Sequence, residues 1–332
     1  MEILQSVTAI GRERWSRFAA AAGANVFFSY DFLHSVEKNP LSQPSEPFYL
    51  VLRDGPDRLA AALILYLQET VDPFGPPDGG VTRMLVGHVW HCYETMVLSA
   101  GPLGAEPVRA LCAAMARLAA GTGAATCGLV NVPWDGPLAS QLAAAGLRGQ
   151  ETTPRYQLRP APGSTLGDHL AGVGRASRRS LRQYMRRAQR VGAEISFEVG
   201  ATVLDDDVLA LCKATADKHA PGYYPPVELT ALIKSLGENC RILRIDLDGG
   251  LLAVSICLFD DQRAHFWAGG CRYPEEFNWS PQYVLFGAEI EQGLATGRPI
   301  VEFGRRNDEF KRRYGLRPQR LGRFVLNGGT NE

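Results

Sequence analysis

Three strand-like segments follow one another between residues 240 and 271, and they constrain the fold of this chain more than any other feature. The segments are Cys240–Asp248, Leu251–Asp260 and Arg263–Cys271, and each is rich in apolar residues. The connections between them, Gly249-Gly250 and Asp261-Gln262, are two residues long and have the composition of tight turns. Strands joined by such turns pair antiparallel. The C-terminal half is therefore predicted to contain a β-meander.

Both halves of the 332-residue chain show a similar order of elements. In each half, helices precede antiparallel strands, which are followed by a helix and further strand-like segments. In the C-terminal half we expect a helix at Pro281–Thr296 and strands at Ile300–Phe303 and Arg320–Leu326. Mixed antiparallel strands with helices on both faces favour an α+β fold that is used twice. We therefore predict two tandem domains, residues 1–164 and 165–332.

The composition is that of a soluble globular protein. Lys and Arg total 35, as do Asp and Glu, so any polyanion binding requires a local patch of charge. The seven cysteines are scattered without a C-x-x-C pair, which argues against a disulfide framework or a metal site. The N-terminus lacks a signal-peptide pattern, and no apolar stretch reaches the roughly 20 residues of a membrane helix. We expect a cytoplasmic protein without an integral membrane segment.

A helix predicted over Leu166–Val191 is rich in arginine, and five arginines spaced three or four residues apart form one stripe. The stripe consists of Arg175, Arg179, Arg182, Arg186 and Arg190. No acidic residue lies between them, so their mutual repulsion lacks an i,i+4 carboxylate to offset it. A bound polyanion or carboxylates elsewhere in the fold would relieve that repulsion, although such runs are usually solvated helix faces. The candidate residues for binding a phosphate-bearing carrier in this helix are Arg178, Arg179, Arg182 and Arg186.

A charge-rich segment, GRRNDEFKRRYG, separates two predicted strands near the C-terminus. From the residues alone, Lys311 is a solvated lysine in a charged loop or a cation with a function. Asp308 could orient Lys311 or act as a base, and it could equally pair with neighbouring arginines. The sequence does not separate these alternatives.

The segment from Ser280 to Gly315 resembles the C-terminal signature of two double-domain groups of GNAT acyltransferases. These groups are the Fem-type aminoacyl transferases and the acyltransferase-like proteins associated with cellulose synthesis. The shared features are a helix that ends at a glycine, a strand that ends in an acidic or aromatic residue and glycine, and two aromatic pairs. In this chain they are Gly297, Glu302-Phe303-Gly304, Phe310-Lys311 and Tyr314-Gly315. SAGPLG with the strand LVNVP, and the Arg-rich helix, resemble other parts of these proteins.

The resemblance implies roles for several charged residues. Lys311 is expected to hold the reacting carbonyl or a carrier phosphate, because a fixed cation stabilises the negative charge that aminolysis builds on the carbonyl oxygen. Arg305 is expected to face the carrier's phosphates. Apart from the resemblance, Asp308, Glu94 or His91 could accept the proton of the attacking amine. Loss of Lys311 is expected to abolish transfer and to spare folding.

Polar and aromatic residues in apolar segments are the candidates for substrate binding. A strand through HVWHCYETMV would place His91 and Tyr93 on one face and Glu94 on the other. In RAHFWAGGC, His265 and Trp267 would share a face. A lone histidine in a strand is also common in ordinary cores. The candidates are His91, His265, Trp267, Tyr283 and Phe310.

The start of the predicted helix at Pro281 bears on the acyl donor. GNAT domains grip the pyrophosphate of coenzyme A with a glycine-rich turn of backbone N–H donors at this helix N-terminus. Ser280, Pro281 and Gln282 stand here instead, and proline has no N–H to donate. This favours aminoacyl-tRNA over acyl-CoA as the donor. The cellulose-associated relatives often carry proline here, so acyl-CoA stays open.

The sequence thus predicts an acyltransferase that forms an amide and binds no cofactor other than its donor. The donor is an aminoacyl-tRNA, and the acceptor is a small amine or hydroxylamine of a natural-product pathway or a peptidoglycan precursor. One alternative is an acyl-CoA-dependent N-acyltransferase on the same fold. The other is a non-catalytic RNA- or protein-binding module on a degenerate scaffold, because a fold does not fix a function.

Overall fold

The computed structural model describes residues 1–42, 45–56, 58–72, 79–87, 92, 94–218 and 222–326. The chain folds into two compact units. Unit 1 contains Met1–Thr153 and the C-terminal segment that begins at Arg320, and unit 2 contains Pro154–Gln319. The domains predicted from the sequence, 1–164 and 165–332, did not place the segment that begins at Arg320 in the first unit.

Unit 1 combines a mixed sheet with helices. The helices are α1 (Arg12–Ala21), α2 (Tyr30–Lys38), α3 (Ala105–Thr122) and α4 (Pro137–Ala144). The strands are β1 (Glu2–Leu4), β2 (Ser45–Arg53), β3 (Leu59–Val71), β4 (Val81–Gly87), β5 (Leu98–Ser99) and β6 (Thr126–Pro133). Strands β1 to β4 pair antiparallel in sequence order, β5 pairs with β3, and β4 pairs with β6 in parallel.

Two strands carry the chain between the units. β7 (Arg148–Leu158) begins in unit 1 and ends in unit 2, whereas β13 (Arg317–Val325) begins in unit 2 and ends in unit 1. The end of β13 pairs antiparallel with β6, with Leu321 opposite Pro133 and Val325 opposite Gly128. Unit 1 therefore needs the end of β13 to complete its sheet.

Unit 2 contains the predicted meander. Its helices are α5 (Leu166–Ala171), α6 (Arg175–Arg190), α7 (Gly200–Val203), α8 (Asp206–Ala216), α9 (Pro226–Leu236), α10 (Pro281–Ala295) and α11 (Asp308–Arg313). The strands that lie wholly within it are β8 (Glu194–Val199), β9 (Cys240–Leu247), β10 (Gly250–Phe259), β11 (Arg263–Cys271) and β12 (Ile300–Arg305). Strands β8 to β11 pair antiparallel, β11 pairs with β12 in parallel, and β12 pairs antiparallel with the end of β7. The α+β prediction is confirmed.

The single helix predicted over Leu166–Val191 is in fact two helices. α5 ends at Ala171, and α6 begins at Arg175 after Gly174, whose backbone has φ −52° and ψ 141°. Glycine lowers helix stability by about 1 kcal/mol relative to alanine, and Gly172 and Gly174 lie close together at the break.

The strand predicted through HVWHCYETMV is wrong for the residues that the structure describes. Residues 94–97 lie outside any strand, and β5 covers only Leu98–Ser99. The backbone N–H of Thr95 donates to the Asn131 carbonyl at 2.9 Å, and its hydroxyl donates to the Gly87 carbonyl at 3.1 Å. His91 and Tyr93 lie outside the described residues. The strand that sequence reasoning missed, β4, immediately precedes this segment.

In unit 2, α10 packs between α6 and the sheet. A Cβ atom on Gly287 would lie 2.9 Å from Met185 Sδ of α6, and one on Gly293 would lie 2.6 Å from Val301 Cγ1 of β12. Glycines therefore let α10 approach both neighbours closely. The α6 face that carries Leu181 and Ala188 is buried, and the arginine stripe lies on the opposite, exposed face.

The close pairing of β10 and β11 gives a testable expectation for Gly269. A Cβ atom added there would lie 2.3 Å from the backbone oxygen of Val254, which cannot move without distorting β10. We expect Gly269→Ala to lower the free energy of unfolding by about 1–3 kcal/mol, measured by urea denaturation.

The matched control for this change is Gly121→Ala in α3. No atom lies within 4 Å of a Cβ at that position. The substitution favours the helix, so we expect stability to rise by up to about 1 kcal/mol. Equal effects of the two substitutions would contradict the close approach of β10 and β11.

Candidate active site

A pocket opens in unit 2 where two parallel strands separate. The pairing of β11 with β12 covers Arg263 to His265 against Ile300 to Glu302. Beyond these pairs, β11 continues to Cys271 and β12 to Arg305. The pocket has a volume of about 340 Å³ and is lined by every residue of β11 from Phe266 to Cys271.

Irregular backbone on both strands accompanies the split. The register of β11 against β10 shifts at Trp267, because Ile256 pairs with Ala268 while Cys257 pairs with Phe266. Such a bulge bends a strand and increases its twist. At the end of β12, the φ angles of Gly304, Arg306 and Asn307 are 65°, 65° and 56°. Left-handed conformations in non-glycine residues are strained and often occur at functional sites.

Glu289 of α10 supplies a carboxyl group to the pocket. Burial raises the pKa of Glu289 to about 7, while a hydrogen bond from Ser255 and the charge of Lys311 act in the opposite direction. A carboxyl group with such a pKa can accept and release a proton near neutral pH. Sequence reasoning missed this residue, although it is an acidic residue close behind Leu285 and Phe286 in a mainly apolar helix.

Lys311 lies on α11, where the sequence predicted a loop. Its side chain is 7% exposed, and Nζ donates to the carbonyl oxygens of Phe303, Gly304 and Arg305 at 2.7, 3.1 and 2.7 Å. A lysine ammonium has three hydrogens, so these carbonyls account for all of them. Lys311 therefore fixes the end of β12, and its expected contact with a reacting carbonyl stays a prediction.

Burial lowers the pKa of Lys311 to about 8, while the carboxylates of Glu289, Asp308 and Glu302 act in the opposite direction. Glu302 is itself buried and lies 3.2 Å from the guanidinium of Arg155. A cation held in a partly dry site acts on developing negative charge more strongly than it would in water. The site therefore combines a carboxyl group that titrates near pH 7 with a buried cation.

Three further predicted site residues line this pocket, namely Trp267, Phe310 and Arg305. Asp308 occupies the first turn of α11 and influences the charge of Lys311. Together with Lys311, five of the predicted site residues therefore lie at this cavity or next to a residue that lines it. Their individual roles stay predictions.

Other predicted site residues lie elsewhere. Among the described residues, Tyr283 does not line the pocket. The centroid of its ring lies 4.9 Å from that of Tyr184 and 5.2 Å from that of Phe310. His265 is also absent from that lining, and its Nε2 lies 3.1 Å from an oxygen of Asp260. The two residues expected to share a face, His265 and Trp267, are separated by the irregularity of β11.

Glu94 belongs to unit 1 and is half-buried, and its carbonyl accepts a hydrogen bond from Cys92 Sγ at 3.3 Å. His91 lies outside the residues that the structure describes. The roles expected of Glu94 and His91 stay predictions.

The arginine stripe of α6 is fully exposed, as its spacing predicted. Within the described ranges, Arg179, Arg182 and Arg186 have no carboxylate at ion-pair distance. Arg179 and Arg186 line a groove of about 280 Å³ together with other residues of the helix. Arg178 instead donates to the Leu170 and Ala171 carbonyls at the end of α5, at 3.5 and 3.3 Å.

A family model described as "Acetyltransferase (GNAT) domain" matches residues 175–312, which include the split strands, α10 and the pocket. The chain contains a GNAT acyltransferase domain. The resemblance to GNAT acyltransferases found in the sequence is confirmed. The family match covers most of unit 2.

Solved structures show that the GNAT similarity extends to the double-domain fold. FemX is 12% identical with a TM-score of 0.61, and the match covers 98% of this chain and 97% of FemX. A tandem GNAT protein from the clavulanic acid biosynthesis pathway is 16% identical with a TM-score of 0.55, covering 98% and 97%. The C-terminal domain of a putative lysylphosphatidylglycerol synthetase from Agrobacterium fabrum is 14% identical with a TM-score of 0.58, covering 95% and 92%. At such identities these similarities concern the fold.

No curated protein matches this sequence. Within the described residues, no group of three or more His, Cys, Asp and Glu side chains is arranged to hold a metal ion. No helix in the same part of the chain combines the length and apolar character needed to cross a membrane.

Proposed function

We propose that this GNAT acyltransferase forms an amide by moving an aminoacyl group from aminoacyl-tRNA to an amine bound in the pocket of unit 2. The observation that carries the proposal is the presence of Glu289 and Lys311 at the split between β11 and β12. Glu289 supplies a base that titrates near neutral pH, and Lys311 supplies a buried positive charge.

The reaction requires no covalent enzyme intermediate. The lone pair of the acceptor nitrogen attacks the ester carbonyl carbon, and Glu289 takes a proton from that nitrogen. Negative charge that develops on the carbonyl oxygen is stabilised by the field of Lys311. The carbon–oxygen ester bond then breaks, and its electron pair leaves with the ribose oxygen of the carrier. That oxygen takes up the proton held by Glu289.

Two features favour a tRNA carrier over coenzyme A. At the start of α10, Pro281 has no N–H to donate, so the usual pyrophosphate grip is weakened. The stripe that includes Arg182 and Arg186 faces away from α10. A large polyanion can reach both the stripe and the pocket more readily than a compact cofactor can. The similarity to FemX agrees with this choice.

Acyl-CoA is the second candidate donor, because AcCoA is the ligand named for the tandem GNAT protein of the clavulanic acid pathway. A non-catalytic binding module is less well supported. Such a module does not need an acid with a raised pKa beside a buried cation in one pocket.

Transfer of radiolabel separates these candidates. The protein is incubated with a charged total-tRNA pool and a panel of amine acceptors, with and without RNase, and in parallel with a panel of acyl-CoA thioesters. RNase-sensitive transfer of an amino acid is the expected result. Transfer from acyl-CoA alone would overturn the tRNA assignment, and absence of transfer from both carriers would contradict the proposed function.

The arginine stripe gives an independent expectation about the carrier. We expect Arg182→Gln/Arg186→Gln to raise the KM for aminoacyl-tRNA roughly tenfold at low salt, because each arginine contacts a phosphate. The slope of log K against log salt concentration should fall by about 2, since each lost phosphate contact removes about 1.

The matched control is Arg109→Gln/Arg117→Gln on α3, which removes the same charge from two exposed arginines of unit 1. We expect this variant to retain the tRNA affinity and the salt slope of the parent. Equal losses in both variants would show that net charge, and not the stripe, determines binding.

A further inference from the structure

We propose that unit 2 carries a second ligand site, which binds a small anion with a flat ring, such as an aromatic carboxylate or a nucleoside phosphate. The site is a cavity of about 430 Å³, a volume within the range for small-molecule sites. It is lined by α10 at Gln292 and Ala295, whereas the catalytic pocket is lined by the same helix from Gln282 to Glu289. The described linings of the two cavities have no residue in common.

Two phenylalanine rings form the apolar wall of this second cavity. Phe259 at the end of β10 is 4% exposed, and Phe197 of β8 is half-buried. Their ring centroids lie 5.9 Å apart, and the ring planes meet at 62°. A flat ring of a ligand gains favourable contact with such a wall, whereas a hydrated inorganic ion gains none.

Arg298 supplies a fixed cation beside this wall. Its Nε donates to the carbonyl of Asp260 at 2.5 Å, and its Cζ lies 4.7 Å from the ring centroid of Phe259. In the part of the chain that the structure describes, no carboxylate lies at ion-pair distance from this guanidinium. An arginine side chain has five N–H donors, so four remain for a ligand.

Arg241 of β9 supplies a second cation to the same lining. Its Cζ lies 5.8 Å from the ring centroid of Phe197. Its carboxylate neighbour is Glu238, at 3.9 Å and with a side chain that is 79% exposed, and so exposed a pair contributes little. The described lining thus carries two guanidinium groups against one carboxylate, and its net charge is positive.

The two arginines are arranged before any ligand arrives. Contacts with the phenylalanine rings, and the hydrogen bond of Arg298 to Asp260, already restrict both side chains. Ordering them on binding therefore costs less than ordering arginines that move freely in water. The planar fork of a guanidinium matches the two oxygens of a carboxylate or phosphate. Asn239 and Gln292 add amide groups that can bind polar substituents of the ring.

Calorimetric titration of the full chain, without acyl donor or acceptor, tests this site independently of the proposed reaction. 4-Hydroxybenzoate is compared with 4-hydroxybenzamide, and AMP with adenosine, so that each pair differs mainly in charge. Acetate and inorganic phosphate present the same anionic groups without a ring. We expect at least one ring-bearing anion to bind about tenfold or more tightly than its neutral partner and than the matching ringless anion.

Variants locate the binding in the second cavity. Arg298→Gln and Arg241→Gln should each weaken binding of that anion about tenfold, because each removes one charged partner. Phe197→Leu keeps both charges and should reduce the preference for the ring. Arg117→Gln of α3 removes an exposed arginine of unit 1, and this matched control should keep the parental affinity.

Circular dichroism verifies that each variant is folded. The side chain of Arg241 is 42% exposed, so Arg241→Gln still carries the test if loss of the hydrogen bond between Arg298 and Asp260 unfolds the protein. Glu289→Gln changes the catalytic pocket and should leave the affinity for the anion unchanged.

The outcomes separate the second site from the proposed function. Loss of binding in Glu289→Gln but not in Arg298→Gln or Arg241→Gln would place the anion in the catalytic pocket and overturn the second site. Equal affinity for ring-bearing and ringless anions would overturn the role of the ring, and absence of binding by every anion tested would overturn the site. Binding that depends on both arginines in a protein without transfer activity would support the site and contradict only the acyl transfer.

Discussion

Replacement of Glu289 by glutamine is expected to lower kcat about 10²- to 10⁴-fold, which is the usual contribution of a positioned general base. Glutamine has nearly the same size as glutamate and still offers an oxygen to Ser255, so the pocket keeps its shape. The amide cannot take the proton of the attacking amine. Single-turnover transfer from a saturating donor measures the loss in the chemical step.

The pH dependence gives a second signature of the same residue. Burial raises the pKa of Glu289 to about 7 and lowers the pKa of Lys311 to about 8. The base acts when Glu289 is deprotonated, and the cation acts when Lys311 is protonated. We therefore expect kcat/KM to rise through pH 7 and to fall above pH 8, with midpoints that belong to the interacting pair. In Glu289→Gln the rising limb should disappear.

Two controls separate catalysis from folding. Glu291→Gln changes an exposed glutamate of the same helix and should leave kcat unchanged. A carboxyl group whose pKa is raised from 4.5 to about 7 stabilises the fold below pH 4.5, and that contribution is lost as pH rises through 7. At pH 8 the glutamine variant should thus be no less stable than the parent. A stable variant with unchanged kcat would exclude Glu289 as the base.

Replacement of Lys311 by methionine is expected to affect stability as well as activity. The change leaves the carbonyls of Phe303, Gly304 and Arg305 without their donor at a buried strand end. Unsatisfied buried acceptors cost about 1–3 kcal/mol each, so we expect the free energy of unfolding to fall by about 3 kcal/mol or more. Transfer should fall roughly 10²- to 10³-fold, because the positive charge at the site is also lost.

Thermal unfolding of Lys311→Met and of Lys234→Met provides the comparison. The second variant removes an exposed lysine and should shift Tm by no more than about a degree. An unchanged Tm for Lys311→Met would contradict the expected loss of stability. It would support the expectation drawn from the sequence, that loss of this lysine spares folding. Activity is measured well below both transitions, so that a folding defect is not mistaken for a catalytic one.

The double-domain α+β fold was accessible from the sequence because its signals are local. Two-residue turns at Gly249-Gly250 and Asp261-Gln262 are sufficient to specify a meander, and β9, β10 and β11 begin and end within about one residue of the predicted strands. The exposed arginine stripe followed equally from helical periodicity. In each case, residues close in sequence determine the structure.

The details of the site were less accessible because they depend on residues far apart in the sequence. Glu289 becomes a candidate base only when Ser255, 34 positions earlier, lies beside it. The hydrogen bonds of Lys311 depend on the backbone conformation of residues 304–307, which no composition rule specifies. α11 was mistaken for a loop because its six residues include five with charged side chains and offer little helical periodicity.

The path of the chain through the two units also has a consequence for biosynthesis. Because β13 ends in unit 1 and pairs with β6, the sheet of unit 1 remains one strand short until residues 321–325 have been translated. Unit 2 is an insertion within unit 1, and no single cleavage of the chain yields two whole units. The residues of β13 therefore complete both units almost together during synthesis, and the first unit is not finished ahead of the second as in the usual N-to-C order of domain folding.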